Sequence, residues 1–355
     1  MRFRYLEIVS GLGMGGAEKS FLNRMRWAPE KIQTLILNTR PEIATWASPP
    51  GIPSVDCKRN GIAFPMCLRN EIMRFNPHVV IVRSPIDFIF VASIKWVSRA
   101  KWHLVYEAHS TRLSQNTLIG FLLAPFMRIS LSQTSLSIAV SKSVAKGAQC
   151  RGARNLIVHY FGADANPDVS EPRKLNFIFV GRLVPLKQPL LLLSAVSSLS
   201  ELFIREEASL QIVGAGPLES EVKNFIENHG LNPFVELVGY RDNLDSSYSR
   251  SEYLISTSKF EGLPITFFEA KLHGLKILTF PSSGDFDILG PEDVVLKNFT
   301  EHELKSALKF ALMNGTSSVS DRRQIQEQNQ WMLAKRCAVN YYQMVEHQLD
   351  LTKLN

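Results

Sequence analysis

The chain has 355 residues, 45% hydrophobic and 21% charged, which is long enough for two domains with separate cores and too apolar for a disordered polypeptide. Its net charge of +7 is uneven: residues 1–165 hold 21 Lys and Arg against 9 Asp and Glu, and the remainder holds 19 against 24. The first half is therefore expected to meet an anionic partner, and without a helix-turn-helix, finger or aromatic-basic RNA motif the expectation is an anionic membrane surface and no nucleic acid.

Short apolar strands alternate with amphipathic helices from the start, the pattern of a parallel sheet covered on both faces. Strands are expected at 5–9, 34–37, 79–82, 104–107, 136–140 and 156–159, with helices at 17–27, 65–75, 88–99, 118–131 and 143–151. A polar, turn-rich link at 162–168, followed by Pro172, marks a domain boundary. Strands resume at 175–180, 210–213, 235–238, 253–256, 277–280 and 294–296, and one long helix is expected over about 321–349. The fold class is α/β with two Rossmann-like domains facing each other across a cleft, 1–163 and 164–331. Ligands of such folds bind outside the carboxyl ends of the strands. The longest apolar run, 118–127, is about half the length a bilayer requires and contains Pro125. Met1 leads almost directly into a strand, without the pattern of a signal peptide. Cys57, Cys67, Cys150 and Cys337 lack C-x-x-C spacing, so neither a zinc site nor a disulfide framework is expected, and reduced thiols in a cytoplasmic setting fit.

Four stretches carry chemistry. Gly11-Leu12-Gly13-Met14-Gly15-Gly16 follows the first strand and opens a helix, so Gly15 and Gly16 can let a ligand approach the backbone. Read alone, it is also the fingerprint of a dinucleotide site. That reading wants an acidic residue after the second strand, where this chain has Leu37-Asn38-Thr39-Arg40, leaving a nicotinamide phosphate oxidoreductase as the alternative. Arg182 and Lys187 flank a proline-containing loop after a strand, one a planar fork and the other a point charge for phosphate oxygens. Gly214-Ala215-Gly216 follows another strand. Lys259-Phe260-Glu261-Gly262-Leu263-Pro264 then leads into a helix, with Pro264 expected in its first turn, Glu269 two turns beyond Glu261, and an end near Gly274.

In this order, and with the spacing Glu261-Gly262-Leu263-Pro264-Ile265-Thr266-Phe267-Phe268-Glu269, these segments resemble retaining glycosyltransferases of the GT-B fold, family 4, over about residues 6–345. The resemblance implies a nucleotide-sugar donor (UDP- or GDP-linked), an acceptor that is lipid-linked or a glycan, retention of the anomeric configuration, and no cofactor and no metal. It implies catalytic roles for Glu261, His109, Arg182 and Lys187. Gly15, Gly16, Gly214, Tyr240, Gly262, Leu263 and Glu269 are implied to bind the donor together with Arg182, Lys187 and Glu261. Glu269 would hold ribose hydroxyls, and Glu107 would orient its neighbours. The resemblance also implies that the last helix, about 332–355, returns to the first domain. The setting it suggests is bacterial surface polysaccharide (capsule or lipopolysaccharide) assembly on the cytoplasmic face of the membrane, with the enzyme attached peripherally. A catalytically silent, membrane-associated scaffold is the other alternative. His159-Tyr160-Phe161-Gly162-Ala163-Asp164 departs from the family's usual junction, and two mixed basic and apolar stretches, 58–69 and 118–128, are candidates for the membrane contact.

Overall fold

The computed structural model describes residues 2–11, 13, 15–43, 48–61, 63–110, 117–167, 173–282 and 288–351. Leu12 and Met14 of the glycine-rich stretch, Ile62, and residues 168–172, 283–287 and 352–355 lie outside them.

Contacts divide the chain into a first unit, residues 1–162 with 334–355, and a second unit, residues 163–333. The first contains β1 (Phe3–Val9), α1 (Gly16–Arg26), β2 (Ile32–Asn38), β3 (Ser54–Asp56), α2 (Ala63–Phe75), β4 (Val79–Val82), α3 (Pro85–Ser98), β5 (His103–Ala108), α4 (Thr117–Leu131), β6 (Leu136–Ala139), α5 (Lys142–Cys150) and β7 (Leu156–Val158). Its strands form one parallel sheet in the order β3-β2-β1-β4-β5-β6-β7. The order reverses at β1, so the loops after β1 and β4 leave the same edge in opposite directions. The strands Val79–Val82 and Leu136–Ala139 are buried at every position, which explains their unbroken apolar sequence.

The second unit contains β8 (Asn176–Val180), α6 (Pro189–Ser197), α7 (Ser200–Arg205), β9 (Ser209–Val213), α8 (Glu219–Asn228), β10 (Val235–Gly239), α9 (Asp245–Ser249), β11 (Tyr253–Ser256), α10 (Ile265–Leu272), β12 (Lys276–Thr279), β13 (Val294–Val295), α11 (Glu301–Asn314) and α12 (Val319–Gln328). Its parallel sheet runs β10-β9-β8-β11-β12-β13. Phe177, Phe179, Leu192, Phe203, Leu210, Ile212, Tyr253 and Leu308 belong to its continuous core.

Two expectations are corrected. The single helix over about 321–349 is broken: α12 ends at Gln328, residues Gln330–Met332 form a 3-10 turn, Leu333 is extended, and α13 (Ala334–Gln348) begins afresh. The break lies at the boundary between the units, and α13 packs on α1 within the first unit. Cys57 and Cys67 are joined by a disulfide, their Cα atoms 5.8 Å apart. The chain turns back at Gly61, whose φ of +53° suits glycine, and this turn brings together two cysteines that sequence spacing alone keeps ten residues apart.

Candidate active site

In the second unit, the loop from Gly181 to Gln188 carries Arg182 and Lys187 between β8 and α6. Backbone bonds stitch it to two neighbouring loops. Gly181 N donates to Val213 O, Leu183 N to Ala215 O, and Lys259 N to Leu186 O, all within 3.0 Å. The Thr257 hydroxyl donates to Lys187 O at 2.7 Å. Gly214 has a reason to be glycine: its φ is +143°, and a Cβ there would sit 1.9 Å from Gly181 O. Gly216 is pressed in the same way against Leu183 O, at 2.5 Å. The glycines of the β9–α8 loop therefore let two backbones touch, and that contact holds the cation-bearing loop in place.

The Lys187 ammonium donates to the Glu261 carboxylate. Arg182, five residues earlier, is exposed. Glu261, Gly262 and Leu263 are half-buried ahead of α10, whose first turn has no side-chain cap. Pro264 occupies the N-cap position in extended conformation, one residue before its expected place, and the helix starts at Ile265. It ends where expected, since Gly274 at φ +72° would clash with Arg322 O through a Cβ. Glu269 is only 3% exposed, which excludes a solvated helix face. The Tyr248 hydroxyl donates to Glu269 Oε2 at 2.8 Å, and burial together with the Glu269 charge raises the tyrosine pKa. Tyr240 donates to Asp242 at 2.6 Å, so its side chain turns toward its own loop.

In the first unit, Gly15 is the N-cap of α1 and Gly16 its first residue. A Cβ on Gly15 would lie 2.0 Å from a Glu18 carboxylate oxygen: the acidic side chain of the first turn folds back over the helix start, where the dipole favours it. Asn38 closes the same region, accepting from Gly11 N at 3.1 Å and Arg40 N at 3.2 Å, while Arg40 pairs with Glu42. The position that a dinucleotide site gives to a ribose-binding acid is thus taken by a side chain that ties two loops together.

His109 follows β5, stacked on Phe161 with ring centroids 5.5 Å apart and its Nε2 3.6 Å from Glu107. Glu107 is buried at the centre of a charge cluster. Arg83 Nε lies 2.7 Å and Arg24 Nη2 3.3 Å from its two oxygens, and the Tyr341 hydroxyl of α13 donates to it. Both arginines also bind Glu7, at 2.8 and 3.1 Å. Burial alone raises the Glu107 pKa, but the Arg24 and Arg83 charges outweigh it and hold the carboxyl well below the ordinary range. Glu107 therefore stays ionised and orients its neighbours.

The structure brings Lys187 together with Glu261, and His109 together with Glu107. It sets Glu269 against Tyr248 and leaves Tyr240 with Asp242. Sequence reasoning missed Glu7, Arg24, Arg83, Tyr248 and Tyr341. The available signal was a glutamate inside each of two otherwise apolar strands, Tyr5-Leu6-Glu7-Ile8 and Val105-Tyr106-Glu107-Ala108, since a buried carboxylate requires a cation nearby. Among the described residues no group of His, Cys, Asp and Glu has the arrangement to hold a metal ion.

Residues 164–331 match the family described as Glycosyl transferases group 1. The poly(glycerol-phosphate) alpha-glucosyltransferase of Bacillus subtilis (strain 168) is 29% identical over 195 residues, 51% of this chain and 28% of that protein. The Escherichia coli UDP-Gal:alpha-D-GlcNAc-diphosphoundecaprenol alpha-1,3-galactosyltransferase is 29% identical over 116 residues, 32% of this chain and 30% of its own. The matches thus span less than a third of each of these relatives. Among solved structures, Anabaena HepE in complex with UDP superposes with a TM-score of 0.80 at 16% identity, covering 99% of this chain and 100% of that one. The chain therefore has the GT-B fold, and residues 164–331 of its second unit are similar to the glycosyl transferases group 1 family.

Proposed function

We propose that this chain is a family 4 enzyme that transfers a sugar from a UDP-sugar to a hydroxyl of a lipid-linked glycan, with retention of configuration, in bacterial surface polysaccharide assembly. The observation that carries the reading is the Lys187–Glu261 pair, set beside exposed Arg182 on a loop whose backbone is fixed by Gly214. As the bond from the anomeric carbon to the diphosphate breaks, negative charge grows on the leaving oxygen. Arg182 and Lys187 neutralise it, so transfer needs no metal. The acceptor oxygen bonds to the same face of the carbon and gives its proton to a donor phosphate oxygen. Glu261 grips sugar hydroxyls, Glu269 those of the ribose, and a carboxylate accepts from two vicinal hydroxyls at once. UDP as the nucleotude class is supported by the HepE complex and by the name of the E. coli relative, which also supports a lipid-linked acceptor.

Attachment to the membrane is peripheral in this reading. Among the described residues no helix is long and apolar enough to cross a bilayer. On α4, Phe121, Leu122, Phe126 and Ile129 are more than half exposed, with exposed Arg128 between them. Trp96 and Val97 are likewise exposed on α3, which packs on α4. Apolar side chains inserted beside headgroup-binding cations suit an anionic leaflet.

Lys187→Ala is expected to lower the rate of transfer by about 10²–10³-fold, the loss typical of one transition-state donor, while UDP raises the melting temperature of the wild type more than ADP or GDP. Full activity in the Lys187 variant would remove the diphosphate role. The F121S/F126S variant is expected to lose sedimentation with phosphatidylglycerol vesicles at low salt.

A further inference from the structure

Within the basic stretch 58–69, Lys58, Met66 and Arg69 are exposed, whereas Arg59 turns inward. Its Nη2 lies 2.7 Å from Asp87 Oδ1, 3.1 Å from Ser84 Oγ and 3.2 Å from Ser10 Oγ. Three separate loops meet here: Ser10 follows β1, Ser84 follows β4, and Arg59 comes from the loop between β3 and α2. All lie at the carboxyl edge of the first sheet, beside the order reversal, where ligands of doubly wound sheets bind. Ser84 is also the N-cap of the fourteen-residue α3, and its side chain caps no helix amide. The helix start adds a partial positive charge.

The arginine is fixed from several sides. Cys57 N donates to Asn38 O at 2.9 Å and Arg59 N to Thr39 O at 3.0 Å, and the disulfide ties the loop to α2. Asp87 is fully buried and also accepts from Thr39 at 2.8 Å. These bonds occupy Nη2 only. Arg59 Nε is buried without a hydrogen-bond partner among the described residues, although the side chain as a whole is 22% exposed. An oxyanion therefore meets the exposed part of the guanidinium and not the buried Nε.

We propose that Arg59, with the Ser10 and Ser84 hydroxyls and the start of α3, is a subsite for a phosphate group of the acceptor. Groups arriving from three loops suit a tetrahedral phosphate better than a planar carboxylate, and Asp87 holds the fork in place from its buried side. The assignment of this phosphate to the acceptor rests on the transferase reading above.

The test is isothermal titration of the full chain with geranyl diphosphate, in saturating UDP so that the donor site is filled. Saturable binding is expected, weakened at least tenfold in Arg59→Gln, with UDP affinity unchanged. Inorganic pyrophosphate, titrated in parallel, separates the sources: weaker binding than geranyl diphosphate supports a lipid-linked phosphate, and equal binding supports recognition of the phosphate group alone. Arg59→Lys keeps a charge against Asp87 but loses the planar fork, so it serves if the Gln variant unfolds, and the same weakening is expected. No binding by the wild type, or equal affinity in a folded Arg59 variant, overturns the subsite. Intact UDP binding in that case leaves the transferase reading standing.

Discussion

Gly214→Ala isolates the contact on which the cation loop rests. The new Cβ would lie 1.9 Å from Gly181 O, and the backbone φ of +143° is one that side-chain-bearing residues rarely adopt. A strained backbone of this kind costs about 1–3 kcal/mol. Non-bonded carbon and oxygen need more than an additional ångström here, so one loop must shift, at a further cost of about 1–3 kcal/mol by analogy with overpacking. We expect a loss of about 4 kcal/mol, a large part of the roughly 5–15 kcal/mol that keeps a domain folded. Gly230 is the internal control: it lies in the same unit at φ +63°, with nothing within 4 Å of an added Cβ. Gly230→Ala should cost only about 1–2 kcal/mol, the left-handed penalty alone. Urea unfolding read by hydrogen-exchange mass spectrometry follows peptides of the second unit separately. UDP binding should weaken in Gly214→Ala under conditions where the unit is still folded, because Arg182 and Lys187 move with Gly181. If Gly214→Ala and Gly230→Ala were equally stable, the backbone contact would not be what fixes the loop.

Two further outcomes are expected. Lys271 is fully buried, 2.5 Å from both Glu292 and buried Asp293, so Lys271→Met should destabilise the second unit by about 3–5 kcal/mol in chemical denaturation by leaving two carboxylates without their cation, and a loss below about 1 kcal/mol would contradict the argument. His159 is pushed down to about 4 by burial, with the Arg24 charge assisting, whereas an unfolded histidine titrates near 6.5, so between these values the unfolded chain binds more protons: stability from this group is full above pH ~6.5 and falls by about 3 kcal/mol as pH drops to ~4. His159→Gln should flatten that part of the pH–stability curve, and an unchanged slope would assign the acid sensitivity elsewhere.

The alternation of strands and helices was legible because parallel strands buried on both faces read as short apolar runs. Val79–Val82 and Tyr253–Ser256 coincide with the expected ranges, and most other boundaries move by one or two residues. The edge strand β3, Ser54–Asp56, was missed: it has three residues, none of them buried, so it leaves no apolar run. The break in the final helix was hidden for another reason. Gln330, Trp331 and Met332 are compatible with helix, and the interruption comes from the passage between units, a tertiary effect that overrides local preference. At the candidate site, glycines and loop cations could be located from motif order. The partners Tyr248 and Tyr341 could not, because each meets its carboxylate from an element distant in sequence and carries no local pattern.

The returning helix α13 is explained by the charge cluster that it completes. Glu7 on β1 and Glu107 on β5 flank β4 in a sheet otherwise fit for a dry core, and two carboxylates there are tolerable only with two cations. Arg24 and Arg83 supply them, leaving the four groups formally neutral. Arg24 also needs a lid: its guanidinium lies 4.1 Å from the centroid of the Tyr341 ring, and it is 2% exposed. The same tyrosine donates a hydrogen bond to Glu107, so one side chain shields a cation with its ring face and satisfies an anion with its hydroxyl. Without α13 the cluster would open to water, the ion pairs would weaken in the higher dielectric, and Glu107 would lose a constraint that fixes it beside His109. The helix belongs to the first unit because its tyrosine completes a set of buried charges that begins at Glu7.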